Sequence, residues 1–158
     1  MSLPGWLPPM ALVNPWNEQT FDALYRIFRE DFIESRPIYE GHPVWIFPDV
    51  EDGKEVIFWH LTHRLDRAAG ERIPDLRRCE RLPWVRPLID NSIEPEVLAW
   101  DYEEGDGSVK TYVWLENHDF LALMKKYANG TRRLLTSFFI DYPRYSDKLR
   151  KKYAKRIK

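Results

Sequence analysis

The chain has 158 residues, of which 44% are hydrophobic and 15% aromatic, and its formal net charge is −1. This composition is typical of one globular domain with a real core, and it excludes a disordered chain. No apolar run approaches the ~20 residues of a membrane-spanning helix, and the N-terminus lacks the charged start and long apolar centre of a signal peptide. We therefore expect no membrane partner.

The cysteine and charge distributions indicate the cellular compartment and the kind of partner. Cys79 is the single cysteine, so neither an intrachain disulfide nor a thiolate metal cluster can form. This predicts a cytoplasmic protein, and we expect no metal and no cofactor. From Arg144 to the end, eight lysines or arginines stand against one acid, Asp147. Such a basic arm is typical either of a nucleic-acid contact or of a solubilising helix end.

The first elements in chain order are a lead-in and a helix. Residues 1–14 are proline-rich and predict an irregular, extended lead-in. The remainder, residues 15–158, predicts a single α+β domain that ends in a basic C-terminal helix. Asn14 and Pro15 fit the N-cap and first position of a helix. Apolar residues between Phe21 and Phe32 recur at helical spacing, which predicts a buried helix face.

Two hairpins are predicted on either side of an arginine-rich segment. In the first, residues 44–47 pair with residues 55–61 through a turn that contains Asp52-Gly53. In the second, residues 96–102 pair with residues 109–115 through a glycine-containing turn. Apolar strands bounded by such turns are typical of an antiparallel sheet.

The rest of the chain predicts short helices and one more strand. Asp75 is expected to cap a short helix, and the prolines in residues 82–89 favour an extended segment. Asn117 is expected to cap another helix, residues 132–140 predict a final strand, and Ser146 can cap the basic tail helix. The order satisfies an α+β fold: a mostly antiparallel sheet of about four to five strands, covered by helices on one face.

Histidines and arginines carry the functional signal. His60 and His63 end the apolar segment, and an arginine run without lysine follows them. Its members are Arg64, Arg67, Arg72, Arg77, Arg78, Arg81 and Arg86. Imidazole titrates near neutral pH, and guanidinium binds phosphate through paired hydrogen bonds. This combination suits metal-free cleavage of a phosphodiester bond, and it equally suits a surface that binds phosphate without catalysing a reaction.

Each candidate residue has a chemical role and an ordinary alternative. His60 is the first candidate for general base or acid; alternatively its ring is bonded to backbone. Arg78 and Arg81, three residues apart, could clamp a phosphate or form surface ion pairs. Thr136 or Ser137 could donate to a non-bridging oxygen or simply lie in the sheet. The candidates for substrate binding are His63, Arg64, Arg72, Tyr112, Lys151 and Lys152.

Three segments resemble phage-encoded nucleases of the barnase–EndoU–colicin–RelE superfamily. Phe58-Trp59-His60-Leu61 resembles their F-x-H strand. The arginine-rich run of residues 72–84, which ends Arg-x-x-Trp, is similar to their middle segment. Residues 112–115, a predicted helix and residues 134–139 are similar to their closing strand–helix–strand. The similarity spans about residues 15–153.

The resemblance implies N-terminal helices packed on a curved antiparallel sheet. It also implies a metal-independent RNA endonuclease that uses the ribose 2′-hydroxyl as nucleophile, with His60, a nearby arginine and the Thr136-Ser137 pair at its site. Such nucleases occur in toxin systems and prophages, so RNA and an antitoxin or immunity protein are the implied partners. The alternative is a non-catalytic nucleic-acid- or protein-binding accessory protein of a phage or mobile element.

Overall fold

Five α-helices and ten strands form the part of the protein that the computed structural model describes, residues 2–158. The helices are α1 (Glu18–Phe32), α2 (Val56–Thr62), α3 (Leu76–Glu80), α4 (Leu82–Asp90) and α5 (Pro143–Ala154). Three small hairpins are β1 (Ile38–Tyr39) with β2 (His42–Pro43), β3 (Val50–Glu51) with β4 (Lys54–Glu55), and β5 (His63–Asp66) with β6 (Glu71–Pro74). The main sheet consists of β7 (Leu98–Glu103), β8 (Val109–Leu115), β9 (Phe120–Lys126) and β10 (Arg132–Phe139). The expected α+β class is confirmed.

The main sheet is an antiparallel meander with helices on both faces. Its strand order is β10-β9-β8-β7, so every neighbour in space is a neighbour in sequence. Val113 and Ala122 face the core that α1, α2 and α4 cover, whereas Trp114 and Leu121 face α5. The expectation of helices on one face and an open sheet surface on the other is therefore wrong. The C-terminal helix covers the second face because Leu149 packs into it.

The segment around His60 is a helix, which corrects the predicted strand over residues 55–61. Residues Ile57, Phe58, Leu61 and Thr62 of α2 are buried, a pattern with helical rather than strand periodicity. Short apolar runs fit both structures, and here Phe58 decides, because its ring packs between those of Tyr25 and Phe28 on α1. Residues 44–47, the predicted partner, form no strand pair with α2.

Trp45, from the other half of that predicted hairpin, instead extends the main sheet. Its backbone N–H donates to the Arg132 carbonyl at 3.1 Å, and its carbonyl accepts from the N–H of Leu134 at 3.0 Å. This short parallel bridge lies along β10, the edge strand, and so partly covers its free backbone groups.

Four further boundaries differ from the sequence prediction. Asn17 rather than Asn14 caps α1, since its Oδ1 accepts from the Thr20 N–H at 2.9 Å. Residues 82–90 are helical: Pro83 occupies the first turn, where its missing N–H costs nothing, and burial of the apolar helix face outweighs the cost of Pro87 inside the helix. Residues 120–126 form a strand rather than a helix; both faces are buried, so no alternation marks it. Ser146 lies inside α5 rather than at its start.

The second hairpin, the closing strand and the Asp75 cap are confirmed. Residue 1 of the lead-in lies outside the described residues, and residues 2–14 form no helix or strand. They are nevertheless anchored, because Trp84 Nε1 donates to the Pro8 carbonyl at 2.9 Å and the Ala11 N–H donates to the Glu80 carbonyl at 2.8 Å. Within residues 2–158, no helix has the length and apolar character that crossing a bilayer requires.

Candidate active site around His60

The C-terminal turn of α2 is fixed to the edge of the main sheet through the backbone of His60. The His60 carbonyl accepts from Arg78 Nη1 at 2.8 Å and from Thr136 Oγ1 at 3.2 Å. Arg78 also donates to the His63 carbonyl at 3.1 Å. Carbonyls in a last helical turn lack intrahelical donors, and these side chains supply them. Arg78 and Thr136 therefore position His60 through its backbone.

The His60 side chain is exposed and lines a small open cavity, which we call the His60 cavity. The cavity has a volume of about 170 Å³. Asp49 and Arg133 contribute its other charged groups, and Phe47, Val56, Ile57, Leu134 and Leu135 complete its walls. His60, Arg133 and Asp49 thus line one hollow at the junction of α2 and β10.

The guanidinium of Arg133 is held in place by aromatic groups. Its centre lies 3.7 Å from the ring centroid of Phe47, and its Nε donates to the Tyr127 hydroxyl at 2.9 Å. Among residues 2–158, no carboxylate lies within ion-pair distance of Arg133. A preorganised guanidinium without a carboxylate partner suits an anionic ligand such as phosphate.

The surroundings of His60 favour the neutral form of its ring. Partial desolvation of the ring at the cavity wall lowers the pKa of His60 below its usual value, the charges of Arg72 and Arg78 lower it further, and Glu51 partly opposes them. A neutral imidazole can accept a proton from a substrate. The lowered pKa therefore favours the form of His60 that a general base needs.

Two other predicted catalytic residues are buried away from the His60 cavity. Arg81 packs over the rings of Phe139, at 4.3 Å, and Trp84, at 5.4 Å, and donates to the Arg77 carbonyl. Ser137 is buried on the core face of β10, because a bulge between Leu134 and Thr136 shifts the alternation of the strand. This geometry favours a structural role for both residues.

The candidates for substrate binding fall into separate groups. Arg72 forms a 2.5 Å ion pair with Glu51 and lies over the Trp59 ring. Arg64 is exposed and shares a second cavity, of about 230 Å³, with Arg78. Lys151 is exposed on α5. Of these candidates, His63, Arg64 and Arg72 lie on elements next to α2.

Tyr112 and Lys152 lie on the opposite face of the main sheet from the core that α2 covers. Lys152 Nζ donates to the Tyr112 hydroxyl at 2.7 Å and to Glu104 at 3.1 Å, and the Tyr112 hydroxyl also donates to Glu104. Burial raises the pKa of Tyr112, so the phenol stays protonated. This trio attaches α5 to β7 and β8 and does not converge with His60.

His63 makes the unfolding free energy depend on pH. The residue is 8% exposed, its Nδ1 lies 2.8 Å from Thr62 Oγ1, and burial, with a smaller effect from Arg72, lowers its pKa to about 4. The unfolded chain takes up this proton near pH 6.5 and the folded chain near pH 4. We therefore expect the free energy of unfolding to fall by at most ~3 kcal/mol as the pH drops through that window.

Urea unfolding at pH 7 and pH 4.5 measures this dependence. His63→Gln should flatten the loss of stability, whereas the control His42→Gln, at an exposed position of β2, should keep it. Equal losses in the His63→Gln variant and the wild type would show that other groups cause the pH dependence.

Sequence reasoning missed Arg133, Asp49 and Tyr127. One signal for Arg133 was present: adjacent residues of a strand point to opposite faces, so only one member of the Arg132-Arg133 pair can enter the core. No local signal marks Asp49, because it joins the site only through the path of the chain before β3.

Comparisons of the chain with protein-family models, with curated proteins and with solved structures found no match. The geometry of the His60 cavity therefore carries the functional argument.

Proposed function

We propose that the protein is a metal-independent RNA endonuclease in which the substrate's own 2′-hydroxyl attacks the adjacent phosphorus. The observation that supports this most is that His60, a proton acceptor, and Arg133, a guanidinium without a carboxylate partner, line the same small cavity. Arg133 and the helix that carries His60 are both held by packed neighbours. Preorganised charges of this kind stabilise a transition state without reorganisation.

The proposed step needs only these two side chains and water to account for every proton and bond. His60 takes the proton of the 2′-hydroxyl while the bond between O2′ and phosphorus forms. Arg133 stabilises the negative charge that grows on the non-bridging oxygens. The bond between phosphorus and O5′ then breaks, and the leaving oxygen takes a proton from water. The products are a 2′,3′-cyclic phosphate and a 5′-hydroxyl, and the lowered pKa of His60 favours release of its proton to solvent.

We also propose membership of the barnase–EndoU–colicin–RelE superfamily. Helices that precede a four-stranded antiparallel sheet support it. The local motifs do not, because residues 58–61 are helical and residues 120–126 form a strand. The setting that this membership implies is a toxin system or prophage, with an antitoxin or immunity protein as partner.

Incubation of a short labelled RNA with the protein in EDTA tests the proposed function. We expect fragments that end in a 2′,3′-cyclic phosphate and no cleavage of the same sequence made of DNA, which lacks the nucleophile. Equal cleavage of DNA would overturn the mechanism. Retained binding of RNA without cleavage would overturn the nuclease and leave the non-catalytic binding protein.

A further inference from the structure

We propose that an aromatic pocket beside α2 binds one nucleobase of the RNA, an inference that rests on the proposed function. This pocket, which we call the Trp59 pocket, has a volume of about 400 Å³. Its lining is Trp16, Asn17, Glu18, Phe21, Trp59, His63 and Pro74. None of these residues lines the His60 cavity.

The rings of the Trp59 pocket form one continuous aromatic set. The ring centroid of Phe21 lies 6.1 Å from that of Trp16 and 5.8 Å from that of Trp59, and the Trp59 and His63 centroids are 5.0 Å apart. Trp16 is 36% exposed, at the open side of the pocket. Planar ligands gain most from such a lining, because every base has a π-face that can stack on it.

Two cations at the same rings favour an anionic aromatic ligand over an apolar protein side chain. Lys54 Nζ lies 5.0 Å from the Phe21 ring centroid, and among residues 2–158 no carboxylate lies within ion-pair distance of it. The Arg72 guanidinium lies 5.1 Å from the Trp59 centroid. Its ion pairs with Glu51, at 2.5 Å, and with Asp52, at 3.6 Å, involve exposed carboxylates of a kind that contributes little to stability, so a phosphate can replace them.

The position of the pocket fits a base close to the cleaved phosphate. Trp59 and His60 are consecutive residues of α2, so their side chains leave the helix about 100° apart. The Arg72 guanidinium, which lies over the Trp59 ring, is close enough for its charge to lower the pKa of both His60 and His63. A nucleotide whose phosphate enters the His60 cavity therefore finds an aromatic surface on the next face of the same helix.

The test measures binding without cleavage, using a fluorescein-labelled DNA strand that the 2′-hydroxyl mechanism cannot cut. Trp16→Ala should weaken its binding about tenfold, the loss of one base–aromatic stack. Trp16→Phe should restore most of the affinity. Leu12→Ala is the matched control, because Leu12 lies in the same N-terminal segment, is 89% exposed and lies outside the pocket. Fluorescence anisotropy gives the dissociation constants.

The outcomes separate this inference from the proposed function. Weaker DNA binding by Trp16→Ala, with no RNA cleavage by the wild type, would keep the base pocket and overturn the nuclease. RNA cleavage with an unchanged KM and unchanged DNA binding in Trp16→Ala would overturn the pocket and keep the nuclease. Unchanged DNA binding, with a wild type that is dimeric and a Trp16→Ala variant that is monomeric by size-exclusion chromatography, would overturn the base pocket and assign this surface to a second copy of the chain.

Discussion

Replacing His60 with alanine should lower the rate of RNA cleavage about 10²- to 10⁴-fold, the contribution typical of a general base. The fold should survive, because the ring is exposed and the contacts that hold the residue go to its backbone carbonyl. Initial rates with labelled RNA in EDTA give the loss, and the thermal unfolding midpoint reports the fold.

The control for this variant is His118→Ala. His118 lies at the far end of the main sheet from Arg133, since the adjoining Phe120 pairs with Phe139. This variant should cleave RNA at the wild-type rate. A similar loss in both variants would show that the effect is not specific to the cavity, and full activity of His60→Ala would remove the proposed base.

Replacing Asp101 with alanine should have the largest effect on stability, lowering the free energy of unfolding by about 3–5 kcal/mol. Asp101 lies 3.1 Å from the guanidinium of Arg132, whose side chain is 3% exposed, and 3.2 Å from Lys126 Nζ. Arg132 Nε also donates to Thr111 Oγ1 at 2.7 Å. Removal of the carboxylate leaves a buried guanidinium without its main partner, which costs far more than loss of an exposed pair.

Chemical denaturation measures this loss, with Asp147→Ala as the control. Asp147 pairs with Arg150 on the surface of α5, so its removal should cost at most ~1 kcal/mol. Equal losses in the two variants would contradict a structural role for the buried pair. That pair also holds Arg132 in the core, so the next residue, Arg133, points to the other face of β10.

The parts of the fold that the sequence predicted have strong local signals. Strands β7 and β8 flank a glycine-containing turn, and β10 follows Asn129-Gly130, so turns define their bounds. The segments α2 and β9 were assigned wrongly because short apolar runs fit a helix and a strand equally well. Tertiary packing decides between them: Phe58 inserts into the α1 face, and β9 is buried on both sides.

The sequence predicts the type of chemistry at the candidate site but not which residues form it. The sequence indicates that an imidazole and arginines lie near one another, and His60 does lie at an open cavity. The sequence cannot indicate which arginine lacks a carboxylate partner, because the partners lie far along the chain. Arg78 donates to the carbonyls of His60 and His63, and Arg81 packs over the ring of Phe139. Arg133, in contrast, has no carboxylate partner among residues 2–158.

A double-mutant cycle of His60→Ala and Arg133→Ala on RNA cleavage tests the central claim, that the two side chains act on one phosphate. Arg26→Ala, an exposed arginine on α1, controls for general loss of positive charge. Groups that act as a unit are strongly non-additive. We predict that the double variant loses little more activity than the more damaged single variant. Independent losses that multiply in the double variant would contradict a shared site.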